Sequence, residues 1–131
     1  MTQHLTPNQQ QWITALRSGG YTQGKGKLHS TDGFCCLGVA AKEFITSDVE
    51  VTENIDEDDN DYTTWAYDSD FDVAPDYVIK ALGLYDSNGS SRTKEDLMIL
   101  TNLNDKGSTF EQIADIIEAN PENYFREDHK L

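Results

Sequence analysis

The groups in this sequence best suited to nucleophilic chemistry are the adjacent thiols of Cys35 and Cys36 and the imidazole of His29. A thiolate attacks well only when a nearby base takes its proton and a third group orients that base. His29 is the only histidine in the same region, and no acid or amide is marked out as the third member. Phe34, Leu37 and Val39 around the pair describe buried structural thiols instead. No catalytic residue is assigned. A zinc site needs ligands at short, regular spacings, which two neighbouring cysteines and three dispersed histidines do not supply. The run Asp56-Glu57-Asp58-Asp59-Asn60-Asp61 has the acids of a calcium loop. However, Asp61 stands where a glycine must turn the chain, and Tyr67 stands where a bidentate glutamate closes the shell. The run beginning at Asp68 fails in the same way at Val73 and Ile79. We expect no metal and no cofactor.

Binding chemistry is better represented. From Arg17 to His29 the chain combines glycines, which leave backbone N–H groups accessible, with the positive charges of Arg17, Lys25 and Lys27. Tyr21 could stack on a base, Gln23 could read its edge, and His29 closes the stretch. Asn104 and Asp105, in a turn further along, complete the candidate ligand-binding set, although such residues serve more often as caps and turn formers. A small anion of nucleotide type fits this set. Neither a Walker A nor a dinucleotide fingerprint is present, and a solvated hairpin with turn glycines explains the same residues.

These groups must be positioned by elements that the pattern suggests. Thr6, Pro7 and Gln9 mark the N-terminus of a helix by cap, first-turn proline and capping-box partner. Trp12, Ile13 and Leu16 give it one apolar face, and Gly19-Gly20 ends it. Tyr21 to Ser30 reads as extended, with a turn at Thr31-Asp32-Gly33 and a β-hairpin as the simplest geometry. Phe34 to Ala41 is small and apolar and reads equally as a strand or as a buried helix. The acidic segment around 48–61 is expected as an exposed loop or insertion. Tyr62, Trp65, Tyr67 and Phe71 suggest one or two strands. A short helix begins near Pro75, turns Val78, Ile79 and Leu82 inward and stops at Gly83. Two helices close the chain. One is capped by Thr93 and carries Leu97, Leu100 and Leu103. The other is opened by a capping box from Ser108 to Glu111, with Phe110, Ile113, Ala114 and Ile117 on one stripe and Pro121 as its bar. The acids Glu111, Asp115 and Glu118 make this pair a structural hairpin and not a DNA-reading unit. The fold class expected is α+β, a single small domain over residues 1–131, with short antiparallel β-hairpins or a sheet packed against about four to five helices.

Three blocks carry a resemblance: Trp12 with Ala15-Leu16-Arg17-Ser18-Gly19, Tyr21 and Gln23; Phe34-Cys35-Cys36-Leu37-Gly38-Val39; and Leu103-Asn104-Asp105-Lys106-Gly107-Ser108-Thr109-Phe110 with Ile113-Ala114-Asp115. Together they resemble a family of small phage and prophage proteins, mostly uncharacterised. The proline-started segment from Pro75 to Leu84 is similar too, while the stretch from Asp48 to Asp72 lies outside the likeness. The resemblance implies a viral accessory protein in the host cytoplasm and no particular reaction. By analogy with such proteins, it would counter host defence by sequestering a nucleotide signal or by blocking a host protein.

Charge and composition bound the remaining classes. The 131 residues hold 24 acids against 10 Lys and Arg, a formal net charge of −14. That field repels phosphate backbones, so direct nucleic-acid binding is not expected. The acids are segregated: none occurs up to Thr31, whereas Asp48 to Asp76 contains twelve acids and no Lys or Arg. Acidic side chains in such a run could instead imitate DNA phosphates and occupy a host nucleic-acid-binding protein. No apolar run is long enough to span a bilayer, and the start lacks a signal-peptide pattern, so the expected setting is cytoplasmic and reducing, without membrane contact. An enzyme of unrecognised type is the least supported class. No residue fixes the oligomeric state, and a homo-oligomer is left open.

Overall fold

A computed structural model describes residues 5–58, 61–92 and 98–126. The described residues form six helices and a four-stranded antiparallel sheet, an α+β domain. Helix α1 (Pro7–Arg17) starts as the sequence indicates. The hydroxyl of Thr6 accepts from Gln9 N–H at 3.2 Å, and the Thr6 N–H donates to Gln9 Oε1 at 2.9 Å. Gln9 is itself buried, and its Nε2 donates to the carbonyl of Leu82 at 2.8 Å, so the cap of α1 also fastens it to α3 (Asp76–Leu82). Gly83 stops α3 in a left-handed conformation at φ 78°, which costs a residue without Cβ almost nothing.

Strands β1 (His29–Ser30) and β2 (Gly33–Phe34) form the expected hairpin, but it is much shorter than Tyr21 to Ser30. Residues 21–28 stay irregular because their backbone groups bond elsewhere: the N–H of Gly24 donates to Phe34 O at 2.7 Å, and that of Leu28 donates to Phe71 O at 2.7 Å. The apolar run that periodicity left undecided is helix α2 (Cys36–Glu43), with Cys35 as its cap. Every residue from Cys36 to Ala41 is buried, so this helix has no polar face to betray its period.

The segment expected as an exposed loop contains strand β3 (Val51–Ile55), all five residues of which are exposed. β3 joins the sheet by backbone pairing with β4 (Thr63–Tyr67), whose residues Thr64, Ala66 and Tyr67 are buried. Asp59 and Asn60 of the acidic run lie outside the described residues. The sheet order is β2-β1-β4-β3. Helices α4 (Leu100–Asp105) and α5 (Phe110–Ala119) follow, then a short α6 (Pro121–Tyr124). The Thr93 cap and Leu97 lie outside the described residues. The capping box of α5 is Thr109 with Gln112, one residue beyond Ser108 and Glu111, because Thr109 is the residue with extended backbone (φ −72°, ψ 161°) and faces Gln112 at the third helical position. Pro121 ends α5 as expected and opens a further turn of helix.

The core is built from Trp12, Leu28, Leu37, Leu82, Leu100, Ile113, Ile117, Tyr124 and Phe125, all sealed from solvent. The indole Nε1 of Trp12 donates to the carbonyl of Cys36 at 3.0 Å, tying α1 to the start of α2. At Gly38 the helix meets the hairpin so closely that a Cβ would overlap the carbonyl of Leu28. Gly38→Ala should therefore destabilise the fold by about 3 kcal/mol through forced separation of α2 from Leu28. Urea unfolding checks this, and a wild-type midpoint in the variant would contradict the packing described.

Candidate functional site

Each predicted ligand residue can be followed to its partners. Arg17 ends α1 and faces α5, where Nη1 meets Asp115 Oδ1 at 2.6 Å and Nη2 meets Glu118 Oε1 at 2.7 Å. Lys27 Nζ reaches Asp72 Oδ1 at 2.9 Å. Two of the three charges of the N-terminal positive island are thus held by carboxylates of the same chain. As exposed pairs they contribute less than about 1 kcal/mol each. Lys25 is exposed.

Gln23, Asn104 and Asp105 do come together. The amide of Gln23 donates to Asn104 Oδ1 at 2.9 Å and to Ser108 O at 2.7 Å, and its oxygen accepts from the N–H of Phe110 at 3.2 Å, which caps the open end of α5. Asn104 is fully buried. Its Nδ2 donates to Gly24 O at 2.8 Å, and its Oδ1 also accepts from Cys36 N–H at 3.1 Å. Asp105 Oδ1 accepts from the Gly26 N–H at 2.9 Å. These three side chains are turned toward the chain itself. They lock the 21–26 segment onto the α4–α5 turn, and the N–H of Gly26, one of the glycine donors expected to face an anion, meets Asp105.

Tyr21 and His29 belong to an aromatic row across the sheet. The His29 ring lies between Phe34 (centroids 3.8 Å apart, 16° between planes) and Trp65 (4.2 Å, 23°), its register partners on β2 and β4. Tyr21 packs edge-on against Phe34 at 5.1 Å. His29 Nδ1 lies 2.9 Å from the Tyr67 hydroxyl. Burial, and then the nearby charge of Lys42, holds the His29 pKa below its ordinary value of 6.5. Tyr21 donates to Glu43 Oε2 at 2.5 Å, and its own pKa is raised, by burial first and by Glu43 second. Sequence reasoning named the aromatics of β4 but missed the row, since the register that brings Phe34 and Trp65 onto His29 is set by pairing across distant segments.

The thiols are not poised for attack. Cys35 Sγ caps α2 by accepting from the Gly38 N–H at 3.3 Å, and burial raises its pKa to about 11. Cys36 is fully buried, donates to Leu100 O at 3.6 Å and is pushed well above the ordinary thiol value. Among the described residues, no three His, Cys, Asp or Glu side chains gather as metal ligands would. A shallow groove of about 530 Å³ runs between α1 and Tyr21. The carboxylate on its wall, Glu43, already holds Tyr21 and, through Gln11 Nε2 at 3.0 Å, a second donor.

What stands open is the β3 edge of the sheet. Val51 and Ile55 of β3 are 42% and 56% exposed. Glu50, Glu53, Asp56, Glu57 and Asp58 surround them, all exposed.

A sequence model for a family described as a domain of unknown function, DUF8296, matches residues 2–121. The chain belongs to that family. No curated protein and no solved structure matches it. The match reaches through α5 to the start of α6 and takes in β3 and the acidic segment, so the DUF8296 region includes both the polar lock and the open sheet edge. No helix among the described residues is long and apolar enough to cross a membrane.

Two outcomes follow. Asn104→Ala removes partners from the buried Gly24 carbonyl and Cys36 N–H, and should cost about 3 kcal/mol in urea unfolding. Stability should also depend on His29. Its folded pKa is depressed, so the unfolded chain binds the extra proton, and stability present above 6.5 is lost as pH falls through that value toward the folded pKa. The stability gap between wild type and His29→Phe should therefore shift in favour of the variant from about pH 7.5 to about pH 5. A gap that does not change with pH would disprove the assignment.

Proposed function

We propose that this chain is a small phage-type accessory protein that acts by binding, without catalysis, and that its partner is a positively charged host protein met by the acidic margin of the sheet. The resemblance of its three sequence blocks to phage and prophage proteins supports the context. The observation that carries the binding reading is the contrast between its two charged regions. The positive island is largely neutralised within the fold, by Asp115, Glu118 and Asp72, whereas β3 and its flanks present Glu50, Glu53, Asp56, Glu57 and Asp58 to solvent in a segment with no Lys or Arg of its own. A field of this kind speeds encounter with basic surfaces and repels nucleic acid. Occupying the basic surface of a nucleic-acid-binding host protein in place of its DNA is one way such binding would counter host defence.

The small-anion reading has less support, because Arg17, Gln23, Lys27, Asn104 and Asp105 all bond within the chain. The test is affinity capture from bacterial lysate with wild type and with Glu50→Lys/Glu53→Lys/Asp56→Lys, alongside calorimetric titration with mono-, di- and cyclic nucleotides. We expect a basic protein that is captured by wild type, lost with the charge-reversed variant and weakened steeply between about 50 and 200 mM salt, as several charge contacts require. Capture indifferent to both changes, or nucleotide binding in its place, would overturn the proposal.

A further inference from the structure

Among the described residues, β3 has a strand on one side only. Its bonding to β4 is fixed at both ends, where the Asp68 N–H donates to Glu50 O at 2.7 Å and the Asp56 N–H donates to Tyr62 O at 3.0 Å. Bonded and non-bonded pairs alternate along an antiparallel ladder. With Val51 opposite Tyr67, Glu53 opposite Trp65 and Ile55 opposite Thr63, the residues turned toward β4 are Glu50, Thr52, Asn54 and Asp56. The N–H and C=O groups of Val51, Glu53 and Ile55 point out of the sheet edge.

We infer that this edge accepts an extended segment of the partner protein, bearing lysine or arginine, as a fifth strand; the inference rests on the acidic-margin reading above. Three features favour that occupant. The edge is pre-organised: Asp68 Oδ1 also accepts from the Glu50 N–H at 2.8 Å, and Asp68 and Ser69 hold a tight turn with φ of 51° and 72° at the end of β4. A strand already in place loses little freedom when another is added. Alternate side chains of an added strand would also find distinct surroundings on the two faces, as strand addition requires for specificity. On one face Glu53 stands beside the half-buried Trp65, where a cation meets both a carboxylate and an aromatic ring, between the exposed Val51 and Ile55. On the other, Asn54, Asp56, Tyr62 and Thr64 line a groove of about 200 Å³ with Lys27 and Ile55. Finally, charge selects against a second copy. Antiparallel self-pairing about Glu53 would set Glu53 against its equivalent and Glu50 against Asp56, and like charges directly opposite destabilise a pair.

The probe is a blocked peptide of alternating lysine and valine, about as long as β3. Its controls are the same peptide methylated on every second backbone nitrogen, in each of the two alternations. The full isotope-labelled protein is titrated, and affinity is read together with hydrogen exchange at the Val51, Glu53 and Ile55 amides. We expect the parent peptide to bind and to protect those three amides, and one methylated form to bind at least about tenfold more weakly, since it keeps the charge but loses its donors. Equal binding by all three peptides would overturn strand addition while leaving charge-based binding intact. Binding by none would overturn both readings. Protection of the same amides in concentrated protein alone would assign the edge to a second copy and overturn the proposal.

Discussion

The fold turns on the side-chain amide of Asn104. It is sealed from solvent, yet it bonds to two separate pieces of chain: the segment holding Gln23 and Gly24, and the N–H of Cys36. The Gly24 carbonyl and the Cys36 N–H would be buried and lose this partner without it, and a buried polar group without a partner costs far more than a hydrogen bond gains. The irregular segment before the hairpin, the start of α2 and the α4–α5 turn therefore have one mutual arrangement in which all their polar groups are satisfied.

Much else is downstream of that arrangement. Fixing the 21–26 segment sets Gly24 beside Phe34, which aligns β2 with β1 and puts His29 between Phe34 and Trp65. Fixing the start of α2 allows Gly38 to rest against Leu28 and Trp12 to reach the Cys36 carbonyl. β3 is held by its pairing with β4, which explains how it can be wholly exposed and still be a strand. The two charge domains of the sequence thus become an internally paired region and an open one.

The sequence showed most plainly those features that depend on neighbours in the chain. The Thr6–Gln9 capping box, the apolar stripe of α5, the Gly83 stop and the turn at Thr31 to Gly33 all follow from local chemistry, and the α+β class follows from them. α2 was illegible as a helix because burial on every side erases periodicity. β3 was taken for loop because its stability comes from pairing with a neighbour, and the acids around Val51 and Ile55 mask the strand preference of those residues. Among the site residues, the polar character of Gln23, Asn104 and Asp105 was visible, but its destination was not. A polar side chain that closes a long-range internal bond looks the same in sequence as one that awaits a ligand.

The distance along the chain between Gln23 and Asn104, 81 residues, bears on how the molecule is made. A ribosome delivers the hairpin and α2 well before the amide that locks them. During that interval the open carbonyl of Gly24 and N–H of Cys36 must rely on water, and the closure of so long a loop is slow compared with helix formation. The segment around Gln23 and Gly24 is therefore made early but cannot take up its locked arrangement until the α4–α5 turn has been made.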